Sequence, residues 1–223
     1  MKCAVIFGGT GFIGSFFAKK LVESQQYEAI YLVDFESIDQ KGNSFRRELI
    51  MDEPLVRYVQ CDVRIPIDLE LEYGSVDLVA NFSAIHREPG HKDFEYFDTN
   101  MKGAKNICDW ASSVDCKKII FTSSISSYGS SEIQKDESSL PVPTTSYGCS
   151  KLVAEKIHEI WHSRDSEKRR LVIVRPGVVF GPGESGNVTR LIRAVLHRYF
   201  VYTGNRDTRK AGVYVKELCN ALI

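Results

Sequence analysis

What the 223-residue chain lacks narrows its reading first. It has no excess of charge, since 29 basic side chains balance 29 acidic ones. Bulk electrostatics therefore give no reason to expect nucleic acid or an anionic membrane as a partner, and any anion must be held by a local site. No apolar run approaches the ~20 residues a membrane span needs. The apolar start stops at Gly8-Gly9, too early for a signal peptide, and the next residues make a better motif. The six cysteines, at 3, 61, 108, 116, 149 and 219, form no CxxC pair, so reduced thiols in a cytoplasmic protein are expected and no metal is. Repeats and low-complexity tracts are missing too. With 43% hydrophobic residues the chain can build one large domain with a sizeable core.

Apolar runs alternate with segments of helical period. Residues 2–7, 29–34, 56–60, 76–82, 118–123 and 171–175 read as strands. They are continuously apolar, as strands buried on both faces are. Residues 11–24, 93–113 and 147–163 read as helices. This order predicts an α/β, doubly wound parallel sheet of the Rossmann type, with helices on both faces. In such sheets ligands lie beyond the carboxyl ends of the strands.

After the first strand comes Gly8-Gly9-Thr10-Gly11-Phe12-Ile13-Gly14. Gly8 permits a tight turn, Gly11 lets backbone amides approach a pyrophosphate, and Gly14 lets the helix pack near the sheet. The helix start offers Phe12 and Ile13 amides to phosphate. Asp34 ends the second strand about 20 residues on, where a carboxylate bonds an adenine ribose. A carboxylate there repels a 2′-phosphate, so NAD is expected over NADP. Asp62-Val63 follows the third strand; Asp62 either faces the adenine amino group or caps the next turn. Phe82, Ser83 and Ala84 follow the fourth, where small residues let the backbone pass beside the cofactor.

Tyr147 and Lys151 form a YxxxK pair, and i and i+4 share a helix face. A phenol titrates near ~10, too high for a base at neutral pH; a neighbouring ammonium favours the phenolate. Ser123-Ser124 ends the fifth strand, where a hydroxyl can bond a substrate oxygen.

Taken together, these motifs resemble the NAD-dependent epimerase/dehydratase family of extended short-chain dehydrogenases/reductases. The matching stretches are 8–14, Asp34, Asp62, 96–100 (Tyr-Phe-Asp-Thr-Asn), 122–129 (Thr-Ser-Ser-Ile-Ser-Ser-Tyr-Gly), 147–151 and 175–183 (Arg-Pro-Gly-Val-Val-Phe-Gly-Pro-Gly). The resemblance implies Ser124, Tyr147 and Lys151 as the catalytic triad, and Asn100 as a structural or cofactor-shell residue. It puts Asn187, Arg190 and Arg209 where relatives grip the diphosphate of a nucleotide-sugar. Residues 1–180 would form the NAD-binding domain and 181–223 begin a substrate-binding lobe.

The family's 4,6-dehydratases carry Thr-Asp-Glu in the serine segment, where this chain has Ser124-Ile125-Ser126; its decarboxylating members keep a glutamate where Ser126 stands. An isoleucine cannot shuttle protons, so epimerisation is expected. Tyr147 would remove a sugar hydroxyl proton while NAD takes the hydride, and the hydride would return to the other face of the keto-sugar. A keto-reductase with net NAD(H) turnover is the alternative. A non-catalytic NAD-binding regulator is a third, against which the intact triad argues.

Members of the family run longer, completing a lobe that closes over the sugar nucleotide. This lobe is therefore expected to be incomplete, frayed from about Tyr202, with Leu218, Ala221 and Leu222 exposed. Relatives dimerise through a four-helix bundle. The helices at 93–113 and 147–163, with Trp110, Ile157 and Trp161, carry more apolar surface than one core contact needs and predict a homodimer.

Overall fold

The computed structural model describes all residues except 1, 41, 51, 73, 87–89, 203–205 and 208. Strands β1 (Lys2–Phe7), β2 (Ala29–Asp34), β3 (Val56–Gln60), β4 (Ser75–Asn81), β5 (Lys118–Thr122) and β6 (Arg170–Val174) form one parallel sheet in the order β3-β2-β1-β4-β5-β6. This is the doubly wound arrangement expected. The order reverses between β1 and β4, which opens a crevice at their carboxyl ends.

β1 sends alternate side chains to opposite faces. Ala4 and Ile6 join Phe16, Phe17 and Leu21 of α1 (Phe12–Ser24) and Ile50 of α2 (Ser44–Ile50). Cys3, Val5 and Phe7 join the other layer. That layer comprises α3 (Asp93–Tyr96), a π-helical turn (Phe97–Met101), α4 (Lys102–Ser113) and α5 (Ser146–Ser163). Each large apolar side chain so buried contributes ~1.5–3 kcal/mol.

Trp110 and Trp161, read as surplus apolar surface, belong to this core, with Trp110 edge-on to Phe7 at 5.5 Å. Helical period alone would put Phe94 on one core-facing side of the first of these helices and Val153 and Ile160 on that of the second, and the structure differs. Phe94 is 64% exposed while Tyr96 is buried. On α5 the buried side carries Lys151, Ala154, Glu155, His158 and Trp161, whereas Val153 and Ile160 are exposed. The polar side turns inward because its groups find partners there, Glu155 with Ser123 and Arg175 and His158 with Asn81 and the Ala154 carbonyl.

Beyond β6 the chain forms β7 (Val178–Phe180), α6 (Asn187–Leu196), β8 (Gly212–Tyr214) and α7 (Val215–Ala221). β7 pairs in parallel with β8, so the pairing crosses the division expected at residue 180. Of the fraying expected from Tyr202, residues 203–205 and 208 lie outside the described residues, and 212–221 departs from it as a strand followed by a helix. Val215, Leu218, Cys219 and Leu222 are buried with α1 residues, while Ala221 is exposed. α1 has more apolar surface than the sheet covers, and α7 takes the remainder. None of the six cysteines is in a disulfide, and four of them are buried. Among the described residues no helix is long and apolar enough to cross a membrane.

Candidate active site

The glycine turn lies at the crevice. Gly8 has φ +75°, and a Cβ on it would fall 2.7 Å from the backbone of Phe82. A Cβ on Gly14 would fall 2.3 Å from the Gly8 carbonyl oxygen. Both positions therefore demand glycine. Gly11 caps α1 without a side-chain bond, so the first-turn amides of Phe12, Ile13 and Gly14 have no acceptor within the helix. A surface of bare backbone and helix amides is what a pyrophosphate requires. The side chains of Phe12 and Ile13 pack into the core beneath.

Asp34 is already engaged. Its Oδ2 accepts from the Thr10 hydroxyl (2.7 Å) and amide (3.2 Å), and its Oδ1 from the Phe35 amide (2.9 Å). It therefore braces the glycine turn from β2. Asp62 accepts from the Arg64 amide (3.0 Å), as a turn cap does, and from the Arg64 guanidinium (2.6–3.0 Å), which holds its carboxyl below the usual range. Val63 points its side chain at Gly103 of α4. Phe82 stacks edge-on with Phe17, Ser83 bonds Asn81 Oδ1 through its amide and hydroxyl, and Ala84 follows half-buried.

Tyr147 and Lys151 lie one turn apart on α5, whose start is capped by the Thr145 hydroxyl accepting from the Gly148 amide (3.1 Å). Gly148 abuts the serine segment, where a Cβ would meet the Ser126 carbonyl oxygen at 2.4 Å. Ser124 accepts from the Ser126 amide (3.1 Å) and so caps a short 3₁₀ turn (Ile125–Tyr128). Tyr147 is half-buried, its ring 6.2 Å from that of Tyr96. Lys151 is 2% exposed, with Nζ 4.3 Å from the centre of the Phe121 ring. Burial lowers its pKa to about 7, and the Glu155 charge opposes that shift. The fold thus gathers serine segment, tyrosine and lysine at one edge of the sheet.

Asn100 sits in the π-helical turn, a conformation frequent at functional sites. Its carbonyl accepts from the Ile85 amide (2.9 Å), and its Nδ2 donates to the Ile85 carbonyl (3.1 Å) and Ser150 hydroxyl (2.9 Å). It ties the loop after β4 to α5, a structural role.

Several polar residues escaped the sequence reading. Glu155, fully buried, binds Arg175, Ser123 and through Arg175 the Tyr128 hydroxyl. His158 stacks on Phe121, and its Nδ1 lies 2.8 Å from the Ala154 carbonyl, which can only accept; its Nε2 therefore accepts from Asn81 (3.3 Å). One signal was present: Glu155 lies four residues after Lys151 and so shares its face.

The late residues stand apart. Asn187 opens α6, none of whose residues is buried, and accepts from Arg190 (2.5 Å). Arg209 is exposed in the segment before β8.

Residues 4–223 match the model of the NAD dependent epimerase/dehydratase family. The chain is 29% identical over 211 residues to the N-acetyl-alpha-D-glucosaminyl-diphospho-ditrans,octacis-undecaprenol 4-epimerase of Escherichia coli O157:H7, covering 95% of this chain and 59% of that protein. It is 29% identical to the dTDP-D-glucose 4,6-dehydratase of Mus musculus, covering 81% of this chain and 51% of that one. The structure of the UDP-glucuronic acid 4-epimerase of Bacillus cereus in complex with UDP-glucuronic acid and NAD superposes with a TM-score of 0.82 at 22% identity, covering all of this chain and 72% of that one. This chain thus spans between half and six-tenths of the length of these two curated relatives. The match covers the chain nearly end to end, and the chain belongs to the NAD-dependent epimerase/dehydratase family.

Proposed function

We propose that this chain belongs to an NAD-dependent epimerase acting on a nucleotide-diphosphate sugar. The observation carrying the reading is α5, which presents Tyr147 one turn before a buried Lys151 and packs against the Ser124 segment.

The pyrophosphate of NAD would lie on Gly8, Gly11 and Gly14 and the amides of Phe12 and Ile13. Asp34 would bond the adenine ribose from the end of β2. Asp62 and the Val63 backbone would border the adenine. Phe82, Ser83 and Ala84 would flank the nicotinamide half, and Lys151 its ribose. Bound there, NAD supplies a reversible hydride acceptor. Tyr147 accepts the proton of a sugar hydroxyl, with the Lys151 ammonium favouring its phenolate. The Ser124 hydroxyl bonds the same sugar oxygen. Ile125 and Ser126 supply no acid for eliminating water, which favours an epimerase over a dehydratase.

Asn187, Arg190 and Arg209, in the part of the chain that follows β6, would grip the diphosphate. The Escherichia coli relative is named for a sugar on a polyprenyl diphosphate, so that carrier is a second substrate arm. The reading extends to a cytoplasmic homodimer formed through the helices at 93–113 and 147–163.

The test is titration with NAD and NADP, then incubation with nucleotide-sugars and polyprenyl-diphosphate sugars. NAD binds more tightly than NADP, epimer forms without net NADH, and Tyr147→Phe lowers the rate by about 10²–10⁴ while sparing NAD affinity. Preference for NADP, stoichiometric NADH, or normal turnover by Tyr147→Phe overturns the proposal.

A further inference from the structure

A fully buried carboxylate persists only where its partners offset lost hydration. Glu155 has three such bonds. Arg175 donates Nε to Oε1 (2.8 Å) and Nη2 to Oε2 (2.6 Å), a fork that fixes both oxygens. The Ser123 hydroxyl donates to Oε1. Both partners belong to the serine segment's surroundings. Ser123 precedes Ser124, and Arg175 Nη1 donates to the hydroxyl of Tyr128, the last residue of the 3₁₀ turn (2.7 Å). Backbone bonds join the same stretches, from the Ser123 amide to Val174 (2.7 Å) and from the Ile125 amide to Pro176 (3.2 Å). One carboxylate thus links the helix of Tyr147 and Lys151, the segment of Ser124 and the end of β6.

We infer that Glu155 is a positioning residue: with Arg175 and Ser123 it locks the Ser124 segment to the Tyr147 helix that also carries Lys151. Its effect on turnover rests on the epimerase reading; its effect on Lys151 does not.

On its own helix Lys151 has Tyr147 and Glu155 one turn to either side and is coupled by charge to Glu155 and His158; Arg175, and through it Tyr128, reach this cluster by their bonds to Glu155 and to each other. β5 contributes the uncharged Phe121 ring. His158 is neutral, since burial lowers its pKa to about 4. Glu155 is the group whose charge opposes the desolvation of Lys151. Without it the lysine loses its proton more readily and no longer favours the phenolate.

The experiment follows the Lys151 ε-carbon by NMR through a pH titration, in lysine-labelled protein, with Lys151→Met to assign the signal. Glu155→Gln lowers the Lys151 midpoint by about one pH unit or more. Glu155→Asp restores part of it. Glu155→Gln with Arg175→Gln, which leaves no unpaired charge, lowers it less. Where wild-type turnover is measurable, Glu155→Gln reduces kcat at neutral pH about tenfold or more with KM and NAD affinity little changed. An unmoved Lys151 midpoint in either folded Gln variant overturns the inference, as does failure of both to fold. Absence of epimerisation by the wild type overturns the functional reading alone, because the lysine titration needs no substrate.

Discussion

His158 shows what a single buried side chain can impose. Its ring lies against Phe121 at 4.1 Å, donates from Nδ1 and accepts at Nε2, so a second proton would set donor against donor. Burial lowers its pKa to about 4, below the ~6.5 of an unfolded histidine. The neutral ring's stability is therefore fully present above pH ~6.5 and is lost as pH falls towards the folded value. Melting temperature should drop across that window, and His158→Gln should flatten the drop; an equal slope in the variant would refute the assignment. Gly14→Ala should cost about 1–3 kcal/mol, because its Cβ meets the Gly8 oxygen, and abolish NAD binding. Unchanged affinity in that variant would show that the turn does not cradle the cofactor. The residues legible in sequence were those whose spacing is local: the glycine turn, and Tyr147 with Lys151. Glu155 with Arg175 and Asn81 with His158 were not, since their partners lie 20 and 77 residues away.

Among elements, the six strands of the large sheet were read almost to the residue, because continuous apolar runs between turn residues have few alternatives in a buried sheet, whereas the short pair β7 and β8 was not among them. Helix faces were harder. Val153 and Ile160 look like core on a helical wheel, yet the side of α5 that meets the sheet is the polar one. α7 is a similar case. Seven residues form a marginal helix alone, and this one is held by Val215, Leu218 and Leu222 against the α1 layer. Leu218→Ala should lower stability by about 2–4 kcal/mol in urea unfolding. A change within error would mean that α7 does not dock.

At the scale of the whole molecule, moving Trp110 and Trp161 into the core removes part of the case for pairing. What remains on the outer faces of the two helices is Phe94, Val153 and Ile160, the last 54% exposed. Sedimentation at micromolar concentration should give a dimer, and Ile160→Glu a monomer with unaltered NAD affinity; a monomeric wild type would end the proposal. The amino-acid sequence alone determined the order of strands and helices, the glycine turn and the YxxxK helix, because backbone geometry and side-chain period act over a few residues. Only the tertiary structure decided that Asp34 braces Thr10, that α7 covers α1, and which buried groups surround Lys151. Those outcomes depend on which distant segments the parallel sheet brings to its carboxyl edge, and on desolvation that no local pattern records.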